Sequence, residues 1–196
     1  MTIKRISLPY LESTDSLLIS LQELGGLVAL ESEAAEHENG RWSIICADPV
    51  SKIVITSSTD SLEAISRLQK LGDYSLSENI NPELCDLPFI GGVVGSLAYD
   101  FGSVHLRYSP DSKNSPTLIA GYYSWCFLFD HQRRTGHLVF DEQFNKISKC
   151  KLLEIFEASR HPSPALEIKV TPFSYVIDQN EYAKGFSRTQ EFIQSG

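Results

Sequence analysis

The stretch LIAGYYSWCFLFDH, Leu118–His131, constrains the fold more than any other part of the sequence. It is the longest strand signal in the chain. Tyr123, Trp125, Phe127 and Phe129 alternate with Ser124, Cys126, Leu128 and Asp130. Period-two alternation of large apolar residues is the mark of a β-strand. The second face is also partly apolar, so the pattern predicts a strand covered on both faces. Gln132–Gly136 supplies a turn, and His137–Phe140 returns as an antiparallel partner. The expectation is a central strand with layers on either side.

The rest of the chain supplies those layers. Ile3–Leu8 reads as a short strand. Ser13-Thr14-Asp15 offers a helix cap, followed by a stripe of Leu17, Leu18, Leu21 and Leu24 that Gly25-Gly26 ends. Lys52–Thr56 alternates as a strand. Asp60-x-x-Glu63 reads as a capping box ahead of a helix stripe of Leu62, Ile65, Leu68 and Leu71. Asp73–Leu87 and Ser103–Pro116 are polar and read as loops. Asn145–Ala158 predicts a helix with Ile147, Cys150, Leu153 and Phe156 on its buried face. Leu166–Val170 is a short extended crossing. Asp178-x-x-Glu181 caps a last helix with Tyr182, Phe186 and Ile193 on one side. Meandering strands with interspersed helices define an α+β chain, with antiparallel or mixed sheets.

Composition narrows the function. The 196 residues carry a net charge of −8 and a pI near 5.1. That balance argues against nucleic-acid binding, which needs a basic footprint. No apolar run approaches the length of a membrane span. MTIKRISLPYLEST lacks a signal-peptide core, so the sequence predicts a cytoplasmic protein. The cysteines, Cys46, Cys85, Cys126 and Cys150, contain no CxxC pair, and Cys46 and Cys126 read as small core residues.

Three motifs invite a chemical reading. LPFIGGVVGSLAYDFG, Leu87–Gly102, lacks both the Gly-Lys-Ser/Thr of a phosphate loop and GxGxxG spacing. Gly91, Gly92 and Gly95 instead predict a strand in close contact with another backbone. Asp130-His131 suggests a catalytic pair, but no nucleophile elbow accompanies it. A strand end satisfied by local hydrogen bonds is the expectation there. In Leu27–Pro49, two apolar runs, Leu27–Leu30 and Ile44–Ala47, flank an acidic loop and predict a hairpin. Glu31, Ser32, Arg41 and Trp42 would share its rim, a set suited to a small zwitterion; a plain surface hairpin with a polar loop is the alternative.

Taken in order, LES with GRWSIICADP, LPFIGGVVGSLAYDFG, YYSWCFLFDHQ and EYAKGFSRTQEFIQSG resemble the N-terminal region of the chorismate-utilising enzymes. That group includes anthranilate synthase component I and aminodeoxychorismate synthase component I. Tyr123–Gln132 and Asp86-Leu87-Pro88-Phe89 look more like the second. The resemblance implies an α+β fold of antiparallel or mixed sheets packed as a sandwich with helices outside. It divides the chain into a domain over 1–172 and, over 173–196, the start of a chorismate-binding domain.

The activity it implies is amination of chorismate to 4-amino-4-deoxychorismate, on the route to folate. Ammonia would come from a glutamine amidotransferase partner, and Mg²⁺ would assist. The family's Gly-Asp-x-Tyr-Gln segment would begin where this sequence ends, at Ser195-Gly196. The chorismate site, the Mg²⁺ carboxylates and every catalytic residue are therefore expected beyond Gly196, and no cofactor is expected in this chain. The sequence reads as a truncated gene product, a designed domain or a proteolysed fragment, inactive alone and prone to self-association. An anthranilate synthase fragment, or a free-standing binding module, are the alternatives. In this half the resemblance implies an amino-acid pocket, tryptophan-like in its ligand, at Glu31, Ser32, Asn39, Gly40, Arg41 and Trp42. Trp42 stands where the family usually has Tyr or Phe. Arg41 either adds charge to that pocket or pairs with an acid such as Asp48.

Overall fold

The computed structural model describes residues 2–32, 40–56, 61–73, 82–99, 116–143, 146–161 and 170–196. The expectations for Asn39, the Asp60 cap, 74–81, 103–115 and 166–169 lie outside them. In chain order the elements are β1 (Ile3–Leu8), α1 (Asp15–Gln22), β2 (Val28–Leu30), β3 (Trp42–Cys46), β4 (Ser51–Thr56) and α2 (Ser61–Gly72), then β5 (Gly92–Leu97), β6 (Pro116–Tyr123), β7 (Trp125–Asp130), β8 (Thr135–Asp141), α3 (Lys149–Ser159) and α4 (Gln179–Ser195). The larger sheet runs β1-β8-β7-β3-β2 and the smaller β4-β6-β5. Every pairing between described strands is antiparallel.

The aromatic run is not one strand. It forms β6 in the smaller sheet and β7 in the larger, with Ser124 as the corner. The Ser124 carbonyl accepts from Asp141 N–H at 2.8 Å, which anchors the corner to the end of β8. Alternation breaks there. Trp125, Phe127 and Phe129 join one core cluster, while Tyr123 joins Cys126 and Leu128 in another. Simple alternation would have put Tyr123 with Trp125. A strand that changes sheets must bend, and the bend resets which side chains face which layer. Periodicity continues across such a corner, so it was invisible to the pattern. The expectation of two covered faces holds for β7, where all six residues are buried.

Two layers sit on the larger sheet. On one face, Leu17 and Leu21 of α1 and Leu152 and Phe156 of α3 pack with Ile45, Trp125, Phe127, Phe129, Leu138 and Phe140. Full burial of each of these side chains is worth about 1.5–3 kcal/mol, so this cluster dominates the stability of the unit. On the other, Leu87, Phe89, Ile90 and Val94 cover Cys46, Cys126, Leu128 and Val139. Ala64, Leu68 and Leu71 of α2 pack on Ile55, Leu118, Ala120 and Tyr122 of the smaller sheet. Ile65, expected on the buried side, is exposed.

The glycine reading of Leu87–Gly102 is supported by geometry. A Cβ on Gly95 would lie 2.4 Å from the Ile119 carbonyl oxygen and 2.8 Å from Ala120 Cα. Gly91 and Gly92 take φ of 113° and 146°, where side chains are strained.

Two helix expectations shift. Thr14 stands at the α1 N-cap position, but its hydroxyl donates to the Glu31 carboxylate and makes no bond to the helix. The third helix begins at Lys149, because Ser148 caps it by accepting Lys151 N–H at 3.2 Å. Leu152, Phe156 and Ser159 then form its buried face, and Cys150 points to solvent. Ile147 and Leu153, expected on this face, are partly buried against the same core, so of the expected stripe only Cys150 is out of place.

The chain divides into two compact units, Met1–Ser163 and Pro164–Gly196. In the second, Asp178 Oδ1 caps α4 by accepting Glu181 N–H at 2.8 Å, as its capping box predicts. Tyr182 stacks on Phe186, 6.5 Å between centroids.

Candidate functional site

The hairpin forms as read. β2 and β3 pair antiparallel with Val28 opposite Cys46 and Leu30 opposite Ile44. Glu31 and Ser32 follow the end of β2, and Gly40 and Arg41 precede β3. β3 pairs on its other side with β7, which puts Trp42 opposite Asp130. The ends of β2, β3 and β7 therefore converge. That register brings in residues the sequence did not nominate.

The first group lies beside Glu31 and Ser32. Ser32 N–H donates to Ser43 Oγ at 3.3 Å. Ser43 Oγ and His131 Nε2 share a hydrogen bond of 2.7 Å, and His131 Nδ1 and Tyr10 OH share one of 2.8 Å. Tyr10 meets the His131 ring edge-on, and the Arg134 guanidinium lies 4.7 Å above the Tyr10 ring. A neutral imidazole has one donor and one acceptor nitrogen, and each faces a hydroxyl that can serve in either sense. The chain of bonds is thus satisfied in either direction, and it fixes the β2 end against the β7 end.

The second group turns away from the first. Arg41 donates to Asp130 Oδ2 through Nε at 3.0 Å and Nη2 at 2.6 Å. Its guanidinium lies 4.8 Å from the Trp42 ring centre. Trp42 packs with Ile44, Cys126 and Leu128. Asp130 is fully buried, and its Oδ1 accepts from Gln132 N–H at 3.1 Å and Arg133 N–H at 3.0 Å. Burial pushes its carboxyl upward. The Arg41 bond, the two backbone N–H groups and the Arg41 charge outweigh that and hold it below the ordinary value. The Asp130 bond is also the chief reason that Arg41 is held more firmly protonated.

The acid that pairs with Arg41 is Asp130, not Asp48. Asp48 lies past the far end of β3, about 20 Å along an extended chain, where its N–H donates to Gly25 O. Asp130-His131 is satisfied at the strand end, as its position suggested. Tertiary partners Arg41, Ser43 and Tyr10 supply most of that.

Of the six rim residues, Ser32 bonds to the Ser43–His131 chain and Glu31 precedes it, Arg41 and Trp42 lie by Asp130, and Gly40 directly precedes Arg41. Asn39 lies outside the described residues. The first group offers a carboxylate, hydroxyls and an imidazole; the second is a charge-paired brace whose cation is already engaged. The signal for Ser43 and His131 was present in GRWS and FDH, but only strand register joins them. Cys46 and Cys126 are buried beside this sheet, with burial pushing the Cys46 thiol to about 12 and Cys126 well up, so neither is a nucleophile. Among the described residues, no group of three His, Cys, Asp or Glu side chains could hold a metal.

The chain is a member of the chorismate binding enzyme family, whose profile matches residues 28–196. It is 28% identical over 209 aligned positions to aminodeoxychorismate synthase component 1 of Klebsiella aerogenes, covering 97% of this chain and 44% of that protein. To the Escherichia coli K12 protein of the same name it is 25% identical, over 90% of this chain and 40% of that one. To anthranilate synthase component 1 of Lactococcus lactis it is also 25% identical, over 86% and 41%. The crystal structure of anthranilate synthase component I from Streptococcus pneumoniae superposes with a TM-score of 0.54 at 22% identity, over 86% of this chain and 40% of that one. That likeness bears on the fold alone. The chain spans less than half the length of each of these relatives.

Proposed function

We propose that this chain is the N-terminal, non-catalytic portion of an aminodeoxychorismate synthase component I. The whole protein would aminate chorismate to 4-amino-4-deoxychorismate, with ammonia from a glutamine amidotransferase partner. Relatives of that name matched along 90% or more of this chain carry the reading. The division at residue 172 goes with it, residues 173–196 opening the chorismate-binding part. The Lactococcus relative supports a second reading, an anthranilate synthase component. The two differ in the carbon of chorismate that receives nitrogen. Purified protein carrying this sequence with the remainder of its reading frame, given chorismate, ammonia and Mg²⁺, should release 4-amino-4-deoxychorismate. Anthranilate, read by its fluorescence, would favour the second. Residues 1–196 alone should consume no chorismate, and turnover by them would overturn the non-catalytic assignment.

The rim at Glu31, Ser32, Asn39, Gly40, Arg41 and Trp42 is proposed as an amino-acid pocket. Glu31 would take an ammonium group and Ser32 a hydrogen bond. The observation in support is the Ser32–Ser43–His131–Tyr10 chain, which holds the Glu31-Ser32 end in place. Arg41 contributes as a brace, since its guanidinium is engaged by Asp130. Calorimetry with tryptophan tests the pocket: saturable heat that Glu31→Ala reduces supports it, and the absence of heat in the whole protein overturns it.

A further inference from the structure

The segment ahead of β5 contains Asp86-Leu87-Pro88-Phe89, which the pocket does not use. Leu84, at the end of a short 3₁₀ turn (Pro82–Leu84), is buried, and Leu87, Phe89 and Ile90 cover one face of the larger sheet. Arg5 helps to tie its leading end down, with Arg133 also 3.8 Å from Asp86. Arg5 of β1 donates through Nη1 to Asp86 Oδ1 at 3.1 Å and to the Glu83 carbonyl at 3.4 Å. The same guanidinium reaches the His137 ring of β8: Nη2 lies 3.0 Å from Nε2, and Nε 3.4 Å from Nδ1. His137 is buried, at 6% exposure.

A guanidinium carries only donors, so it needs an acceptor on the imidazole. Neutral imidazole has one; imidazolium has none. Protonating His137 would place two cations in contact across 3.0 Å. We propose that His137 and Arg5 form a pH-responsive latch, in which protonation of His137 expels Arg5 and frees the Pro82–Asp86 end of the covering segment.

Among the described residues, charged and polar groups reach His137 from three elements. Arg5 comes from β1, and Asp86 and the Glu83 carbonyl from the covering segment by way of Arg5. Thr135 Oγ1 lies 3.4 Å from Nε2. Asp130 and Arg133 come from the β7 end and its turn, where Arg133 lies 3.8 Å from Asp86 and 4.0 Å from Asp130. Burial first, and then the Arg5 charge, hold His137 below its ordinary value; Asp86 and Asp130 push the other way and lose. The sign follows. A histidine whose folded value is depressed contributes stability fully above its unfolded value of about 6.5, and that contribution is lost as pH falls through the folded value. The latch is shut at neutral pH and opens on acidification. Its far end stays anchored, with Cys126 Sγ 3.7 Å from the Phe89 carbonyl and Phe89 and Ile90 in the core. Opening is therefore local to the leading end.

The test is hydrogen exchange on the whole chain, corrected for the intrinsic pH dependence of exchange. The probes are Cys85 N–H and Leu87 N–H, which bond to Pro82 O and Leu84 O. Opening at these amides should rise with acidification by up to about tenfold per pH unit, the limit for one linked proton. Amides of β7 should keep their protection. His137→Gln retains an acceptor without titrating and should abolish the pH dependence. No pH dependence in the natural chain, or the same dependence in His137→Gln, would overturn the latch. If that variant does not fold, NMR titration of the natural chain decides. The His137 ring and the Leu87 amide should shift together with one midpoint below about 6.5; different midpoints, or a midpoint at or above that value, would overturn it.

Discussion

Asp130 shows how one residue's chemistry is set by where its neighbours come from. Its carboxylate is buried, yet it accepts from one guanidinium and two backbone N–H groups. Removing a partner from such a group costs more than the bond itself contributes, because the other charge is left uncompensated. Asp130→Asn should lower the thermal midpoint at pH 7. The sign with pH follows from a folded value held below the unfolded one of about 3.9. The carboxylate's contribution is fully present above about pH 4 and is lost as pH falls through the folded value. The gap between the natural chain and Asp130→Asn should therefore be flat from pH 5 to 7 and narrow below about 4, measured by urea unfolding across pH. A gap that widened in acid would refute this account. Ser43→Ala removes a hydroxyl partner from His131 Nε2 and should cost about 1 kcal/mol. The same variant should weaken amino-acid binding at the proposed pocket by loosening Ser32.

The elements carry the next scale. β5 can lie beside β6 only because Gly95 has no Cβ. Gly95→Ala should destabilise the smaller sheet by about 1–3 kcal/mol through overpacking, read as a drop in the urea midpoint. The α3 cap is a milder test. Ser148→Ala removes the acceptor for Lys151 N–H and should cost about 1 kcal/mol. These sites separate what spacing could show from what it could not. The glycine-rich strand announced its tight contact in composition, since glycine within a β-branched run has little other use. The face of α3 was read correctly at Phe156, Ile147 and Leu153 and missed at Cys150 and Leu152, because a stripe judged by spacing is blind to which of several polar residues caps the helix. The break at Ser124 was missed for a related reason: both halves alternate well, and only the partner strands reveal a corner.

At the scale of the molecule, exposed sheet surface remains. Val54 and Ile119 are directly opposite each other on the smaller sheet, and both are well exposed. Both outer strands of that sheet are edges among the described strands. Unpaired edges beside apolar side chains favour association between copies. Light scattering of residues 1–196 should show mass rising with concentration, and Val54→Lys should reduce it. A constant monomeric mass to high concentration would contradict the expectation. Among the described residues no helix is long and apolar enough to cross a membrane.

By itself the sequence determined the α+β class, the hairpin around the acidic loop, the Asp178 cap of the last helix and the family. These depend on local propensity, on periodicity and on motifs in order, all of which are written along the chain. The tertiary structure alone decided that Arg41 pairs with Asp130, that His131 meets both Ser43 and Tyr10, and that His137 shares Arg5 with Asp86. Each pair joins residues far apart in sequence through antiparallel register or through a segment laid across a sheet. A shift of one residue in that register would turn the strand residues among them, such as Ser43, Asp130, Arg5 and His137, to the opposite face. The candidate site was thus legible as a set of residue types at one rim, while its division into a hydrogen-bonded chain and a charge-paired brace had to await the strand pairing.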